Sequence, residues 1–430
     1  MTESYGAPQA PITSRTLGVT MIDRKFYLGP GQPMTWLRSW DEIVSAADGG
    51  LLNEHQWIEL KERPAPSGRT TNLELGRDLA SLSVDGGLLI FGIADKTFEV
   101  VGCPVGGLLT RISQVASATV HPPLSPVIHG PFLSPTDPDS AVVVVEVPAS
   151  ADAPHMVDDR YWGRSPEGKR PLSDSEVRRL LDRRRDAEDD FAASLDAVVA
   201  SDPLAPQVEG HPTGQGHLYL LARPIGGHID IPDGFDPRRV VASLPSVFSE
   251  RRWTEHLGTA TYTAHDPDGI AYTNFGSSWS ERTPASHERR LSYFSIKDDG
   301  SVLVVDGGAT ALWKNELGRE SHYVLPGRVA LIALQAMELI RALALEQWGF
   351  TGEWRLGVHV SELQGKAASA RGDFGRREVA FVNPTYRRDV LTAPATWKDT
   401  GETVAHQLLA GFFKGLGLRG WDYQRVLSDG

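Results

Sequence analysis

The sequence predicts an α+β protein: a mixed sheet with helices in its first half, then a second α+β domain. Three observations carry this. Ala141–Val147 reads AVVVVEV, and β-branched residues at that density favour a pleated, buried strand. Gly327–Trp348 is a long apolar stretch with helical spacing, and Leu291–Ile296 and Ser301–Val305 flank an Asp-Asp-Gly turn that marks a hairpin. No repeat recurs at a period of about 20–50 residues, which excludes a solenoid.

Taken in order, residues 1–35 are rich in Gly, Pro, Ser and Thr and predict an extended arm, with a short helix near Trp40–Ala47. A first compact unit spans 50–186. Trp57–Lys61 predicts a short strand and Thr71–Ser83 a helix with Leu73, Leu75, Leu79 and Leu82 as its apolar side. Asp85-Gly86-Gly87 predicts a turn into a buried strand over Leu88–Ile93, and Val101–Thr119 turns into a helix. Ser173 with Glu176 is a capping box that opens another helix. From Asp186 to Pro212 the composition becomes acidic and then Pro-rich, so 187–212 is expected to be a linker, 1–49 an arm, and 213–430 a separate domain. In that domain, strands are expected at His217–Ala222 and Arg355–Val360, and a last helix near Thr403–Leu416. Its dispersed aromatics (Trp253, Tyr262, Trp279, Tyr293, Phe294, Trp348, Trp354, Phe381) predict core packing rather than base stacking.

Bulk properties narrow the function. The chain has 430 residues, 40% hydrophobic and 23% charged, an ordinary globular balance. One cysteine, Cys103, excludes an internal disulfide framework and a cysteine zinc cluster. No basic start precedes an apolar core at the N-terminus and no apolar run is long enough to span a bilayer, so a soluble, cytoplasmic protein without membrane contact is expected. The net charge of −12 argues against a general nucleic-acid coat but leaves room for a local basic groove.

Within Asn53–Lys61, Glu59 and Lys61 fall on one strand face and Ile58 and Leu60 on the other. Glu54 reaches that face only if the chain bends before the strand, and Asp95 sits at the tip of the next strand. Three carboxylates at neighbouring strand ends are a donor set for Mg2+ or Mn2+, hard ions that prefer oxygen. Such an ion would activate water against a phosphodiester. Solvated acids at strand ends are the plainer alternative.

Several motifs occur in a fixed order: Glu54-x-x-x-x-Glu59-Leu60-Lys61, then Gly86-Gly87-Leu88-Leu89-Ile90-Phe91-Gly92-Ile93-Ala94-Asp95, then Glu99-Val100-Val101-Gly102, then Tyr161-Trp162-Gly163-Arg164-Ser165. This order resembles the Schlafen AlbA_2 family over about 135 residues. The resemblance implies nucleic-acid handling, and by position a metal-dependent endoribonuclease acting on structured RNA such as tRNA. Glu54, Glu59 and Asp95 would then be its acidic, metal-holding residues and Lys61 a phosphate stabiliser. It implies RNA rather than DNA as partner, and a homodimer that supplies a second lobe. Three positions depart from the family pattern: Ala94 replaces a carboxylate, Ser83 replaces a turn Asn, and Leu60 replaces a Phe, one core residue for another. A non-catalytic DNA- or RNA-binding regulatory or defence-sensor module is the alternative.

Arg164, Lys169, Arg170, Arg178 and Arg179 are the candidate phosphate contacts, with a solvated helix end as the plainer reading of the arginine run. His121, His129 and His155 are expected to be ordinary loop histidines. Gly365-Lys366 is followed by Ala367 rather than the Ser or Thr of a P-loop, so no ATP is expected.

Overall fold

The N-terminal sheet forms because its strands carry apolar side chains on both faces. In the computed structural model, strands β1 (Ile58–Lys61), β2 (Gly87–Phe91), β3 (Val127–Leu133) and β4 (Ala141–Val147) lie in the order β1-β2-β4-β3. β1 and β2 are parallel and the remaining pairs antiparallel. The structure describes residues 24–205, 214–226, 229, 231, 235–236, 239–240, 262–266, 268–274, 288–314, 320–368, 379–397 and 401–418; the side chains of 186–189, 262–266 and 313–314 are not among what is described.

One face of this sheet packs on helices α2 (Arg69–Leu82) and α3 (Leu108–Ala118), through Leu75, Leu79, Leu89, Ile112, Val143 and Val145. The other face is covered by residues 26–52, including α1 (Trp40–Asp48): Phe26, Leu28, Leu37 and Ile43 pack on Ile58, Leu60, Ile90 and Val144. Two-sided burial of this kind favours the continuous valine run of β4 over an alternating pattern. Gly87 is required where β2 meets β1, since a Cβ there would lie 2.6 Å from the Trp57 carbonyl oxygen.

The expected arm is therefore part of the core from Arg24 onward, and residues 1–23 lie outside the described residues. Arg24 is buried and ion-pairs with fully buried Glu146 on β4, which also hydrogen-bonds His129 Nε2 at 3.1 Å. His129 thus sits on a strand as a buried partner, not on a loop as expected. His155 is also buried, between the Pro122 carbonyl (2.7 Å) and the Ser150 hydroxyl (2.8 Å).

A short strand β5 (Met156–Val157) pairs with β6 (Arg160–Ser165), and β6 pairs with β7 (Gly168–Pro171). The chain then enters α4 (Asp174–Ser201), where the Ser173 amide and hydroxyl both donate to Glu176 Oε2 (2.9 and 2.7 Å). α4 runs on through the first part of the expected linker; 206–212 lie outside the described residues. The helix persists because Phe191 and Leu195, one turn apart, are buried against the second sheet, whatever the acidity of the preceding turn.

That sheet contains, among the described residues, β8 (Leu218–Ile225), β9 (Tyr262–Asp266), β10 (Gly269–Thr273), β11 (Ser292–Lys297), β12 (Val302–Asp306), β15 (Glu353–Val360) and β16 (Tyr386–Thr392). The order is β16-β15-β8-β12-β11-β10-β9 with every pairing antiparallel. A separate hairpin is made by β13 (Thr310–Lys314) and β14 (Glu320–Val324). Helix α5 (Pro326–Arg341), its π-helical continuation Ala342–Gln347, and α6 (Glu402–Gly415) cover one face. α4 lies on the other, where Gly357 gives Phe191 room. Tyr293, Phe294, Trp348, Trp354 and Phe381 are all core residues, as the sequence predicts; Trp253, Trp279 and the Tyr262 side chain lie outside what is described. No helix among the described residues is long and apolar enough to cross a membrane.

At the end of α4, His217 bridges Asp202 (Nδ1–Oδ2 2.9 Å) and Glu288 (Nε2–Oε1 2.8 Å). Burial pulls the imidazole down, but the two carboxylates outweigh it and raise its pKa to about 9. The stability this bridge contributes is complete below the ordinary histidine range and is lost as pH rises through about 9. Urea midpoints measured from pH 6 to 10 should fall across that window by the equivalent of about 2 kcal/mol, and His217→Gln should flatten the decline.

Candidate nucleic-acid interface

β1 delivers two charges to the face that carries α2. Ile58 and Leu60 sink into the core beneath α1, so Glu59 and Lys61 point the other way. Glu59 is buried, with Lys61 Nζ on Oε1 and Arg164 Nη2 from β6 on Oε2 at 2.7 Å. Arg164 Nη2 also donates to the His55 carbonyl at 3.3 Å. Lys169 of β7 comes from the same side and binds Asp78 Oδ1 on α2 at 2.6 Å and Glu74 Oε2 at 3.2 Å. Lys61 Nζ is 3.9 Å from the other Asp78 oxygen.

Burial would raise Glu59, but Lys61 and Arg164 outweigh it and hold the carboxyl below its usual range. Burial likewise opposes the charge on Lys61, and Asp78 and Glu59 overcome it, so the ammonium is held above its usual pKa. At Asp78 burial prevails over the two lysines and pushes the carboxyl up.

Glu54 reaches this edge because His55 and Ile58 exchange backbone hydrogen bonds (3.1 and 3.2 Å), which makes the bend the strand reading requires. Its Oε1 accepts the Leu60 amide at 3.2 Å. Burial raises its pKa against that amide, and the charges of Glu59 and Asp95 raise it further. Asp95 is exposed, on the turn after β2 where Phe98 N donates to the Ala94 carbonyl. The three sequence-predicted acids thus share one neighbourhood, with Lys61 and Arg164 gathered at Glu59 and Lys169 at the adjoining Asp78.

The other candidates stand apart from this cluster. Arg170 forks onto Glu176 (3.0 and 2.5 Å), and Arg178 pairs with Asp174 at 3.0 Å. Arg179 is exposed on α4, in a shallow depression shared with Ser175, Arg178, Asp182 and Arg183. Ser83, in place of the turn Asn, is fully buried and donates to the Ala80 carbonyl at 2.8 Å.

The residue that sequence reasoning missed is Asp78. The signal was present: Leu75, Asp78, Leu79 and Leu82 fall at helical spacing on one stripe, and a carboxylate on an otherwise buried stripe needs a cationic partner.

A divalent ion prefers several oxygen ligands that are free to turn towards it. Here both Glu59 oxygens are held by cations, Glu54 accepts a backbone amide, and Asp78 is held by lysines. Among the described residues, no three His, Cys, Asp or Glu side chains gather as a metal-holding group. In this arrangement the donor set does not fit Mg2+ or Mn2+; Glu59 would first have to release Lys61 and Arg164.

Residues 54–173 match the family model described as Schlafen, AlbA_2. No curated protein matches the chain. The crystal structure of the DIP2311 protein from Corynebacterium diphtheriae aligns with 85% of this chain at 13% identity and a TM-score of 0.22, and this chain spans 58% of that one; so slight a likeness supports no inference here. The matched span holds the β1–β4 sheet, α2, α3 and the strands that carry Arg164 and Lys169, and it is a Schlafen AlbA_2 domain.

Proposed function

We propose that the Schlafen AlbA_2 domain of this chain binds nucleic acid, RNA in preference to DNA, at the cluster around Glu59 and Asp78. The family suggests nucleic-acid binding. The observation that supports this location is the arrival of Lys61, Arg164 and Lys169 from three strands at two buried carboxylates, with the lysine side chains still 34% and 22% exposed. Cations fixed in this way offer phosphate contacts at little further entropic cost, even on a chain of net charge −12.

A more specific reading is endoribonuclease action on folded RNA such as tRNA. It is favoured by the shared neighbourhood of Glu54, Glu59 and Asp95, in which burial first, and then the charges of the two other acids, raise the Glu54 carboxyl. Incubating end-labelled tRNA and a DNA duplex of matched length with the full chain separates these readings. Retarded, intact RNA supports binding alone. Nicking in Mn2+ that disappears in Glu59→Gln supports cleavage. Neither retardation nor nicking at low salt sinks both.

A further inference from the structure

The ionic cluster has an inside and an outside. The Asp78 side chain is 4% exposed and that of Glu59 10%, while the lysines they hold keep one face open. Asp78 touches both lysines, one on each oxygen (3.9 Å to Lys61, 2.6 Å to Lys169), so one buried carboxylate sets the separation of two cations that come from different sheets. Behind them, Arg164 is almost fully buried, and its Nε and Nη1 have no hydrogen-bond partner among the described residues. Buried donors left unfilled are costly, and a guanidinium is best completed by an anion with several oxygens in a plane or fork. The open faces of Lys61 and Lys169, backed by this buried guanidinium, are what a phosphate would meet; a divalent cation would meet three positive side chains.

We infer that this site receives a nucleic-acid phosphate without a divalent ion, and that Asp78 is the residue that positions Lys61 and Lys169 to receive it. The inference rests on the nucleic-acid reading above. It gives Asp78 a role opposite to its charge: a carboxylate near a phosphate ordinarily weakens binding, whereas this one strengthens it by fixing two ammonium groups.

Fluorescence anisotropy of a short labelled single-stranded RNA, titrated with the full chain in EDTA and again in Mn2+, tests this directly. The affinities in the two buffers should agree within about twofold, and Asp78→Asn should weaken binding about fivefold although it removes a negative charge. Asp139→Asn makes the same charge change at an exposed position in the loop between β3 and β4 and should leave binding unchanged or slightly tighter. Binding that needs Mn2+, or Asp78→Asn binding as tightly as the parent, overturns the inference and leaves the nucleic-acid reading standing. Absence of binding in both buffers overturns that reading itself. If melting curves show Asp78→Asn to be unfolded, Lys169→Gln decides: unchanged affinity overturns the inference, and a several-fold loss in EDTA supports it.

Discussion

Replacing Arg24 with Met should destabilise the N-terminal unit by about 3–5 kcal/mol, the usual cost of leaving one partner of a buried ion pair uncompensated. Arg24 and Glu146 are both almost wholly out of solvent, and His129 is the other hydrogen-bond partner seen at the Glu146 carboxylate. Burial alone would raise Glu146, yet the Arg24 charge and the His129 hydrogen bond hold it at about 2. A carboxyl lowered in the folded state contributes stability above its unfolded value, and that contribution is lost as pH falls towards about 2. Urea unfolding followed by tryptophan fluorescence should show the loss in Arg24→Met, with much of it recovered in the double variant Arg24→Met, Glu146→Gln. If the single variant unfolds at the parent's midpoint, the pair does not anchor residues 24–48 to the sheet.

Trp354→Ala should be as damaging to the second unit. The ring is fully buried on β15, stacked on Trp348 with centroids 6.2 Å apart and planes 10° from parallel, and met edge-on by Phe350. Removing so large a side chain from a core that cannot close over the space costs about 3–5 kcal/mol. Scanning calorimetry should show this as a drop of several degrees in the melting of the second unit, whereas Arg24→Met should act first on the other. A variant whose whole profile stays within a degree of the parent would mean that the core collapses into the gap.

Features governed by short-range sequence were legible. The valines of β4, the Ser173–Glu176 start of α4, the hairpin turning at Asp298-Asp299-Gly300 and the apolar helix from Pro326 all lie where their residues predict. The strand reading of Glu59 and Lys61 also gives their common face correctly, because alternation needs no tertiary information. Features set by distant partners were not legible. Residues 26–37 look like an arm by composition, and only contact with a sheet that begins at Ile58, more than 20 residues after Leu37, makes Phe26, Leu28 and Leu37 core. The order of the seven-stranded sheet depends on β8 lying between β12 and β15, pairings across about 80 and 130 residues that periodicity cannot encode. The buried stripe of α2 marks Asp78 as needing a cationic partner, but only the placement of β7 identifies that partner as Lys169.

The unbroken course of α4 fixes an angular relation between the two units. Its first turns hold Arg170 through Glu176, its middle meets Asp152 through Arg184, and its last turns seat Phe191 and Leu195 under Gly357 and pair Asp196 with Arg387. Successive helical residues turn by about 100°, so the helix acts as a gear of defined phase. One residue added or removed near position 187 would rotate the Phe191–Leu195 stripe away from its sheet and break the Asp196–Arg387 pair, although none of the residues that make these contacts would have changed. About seven residues, close to two full turns, would restore the phase and lengthen the spacing by about 10 Å. The helical part of the segment that reads as a linker by composition is thus intolerant of a one-residue change in length.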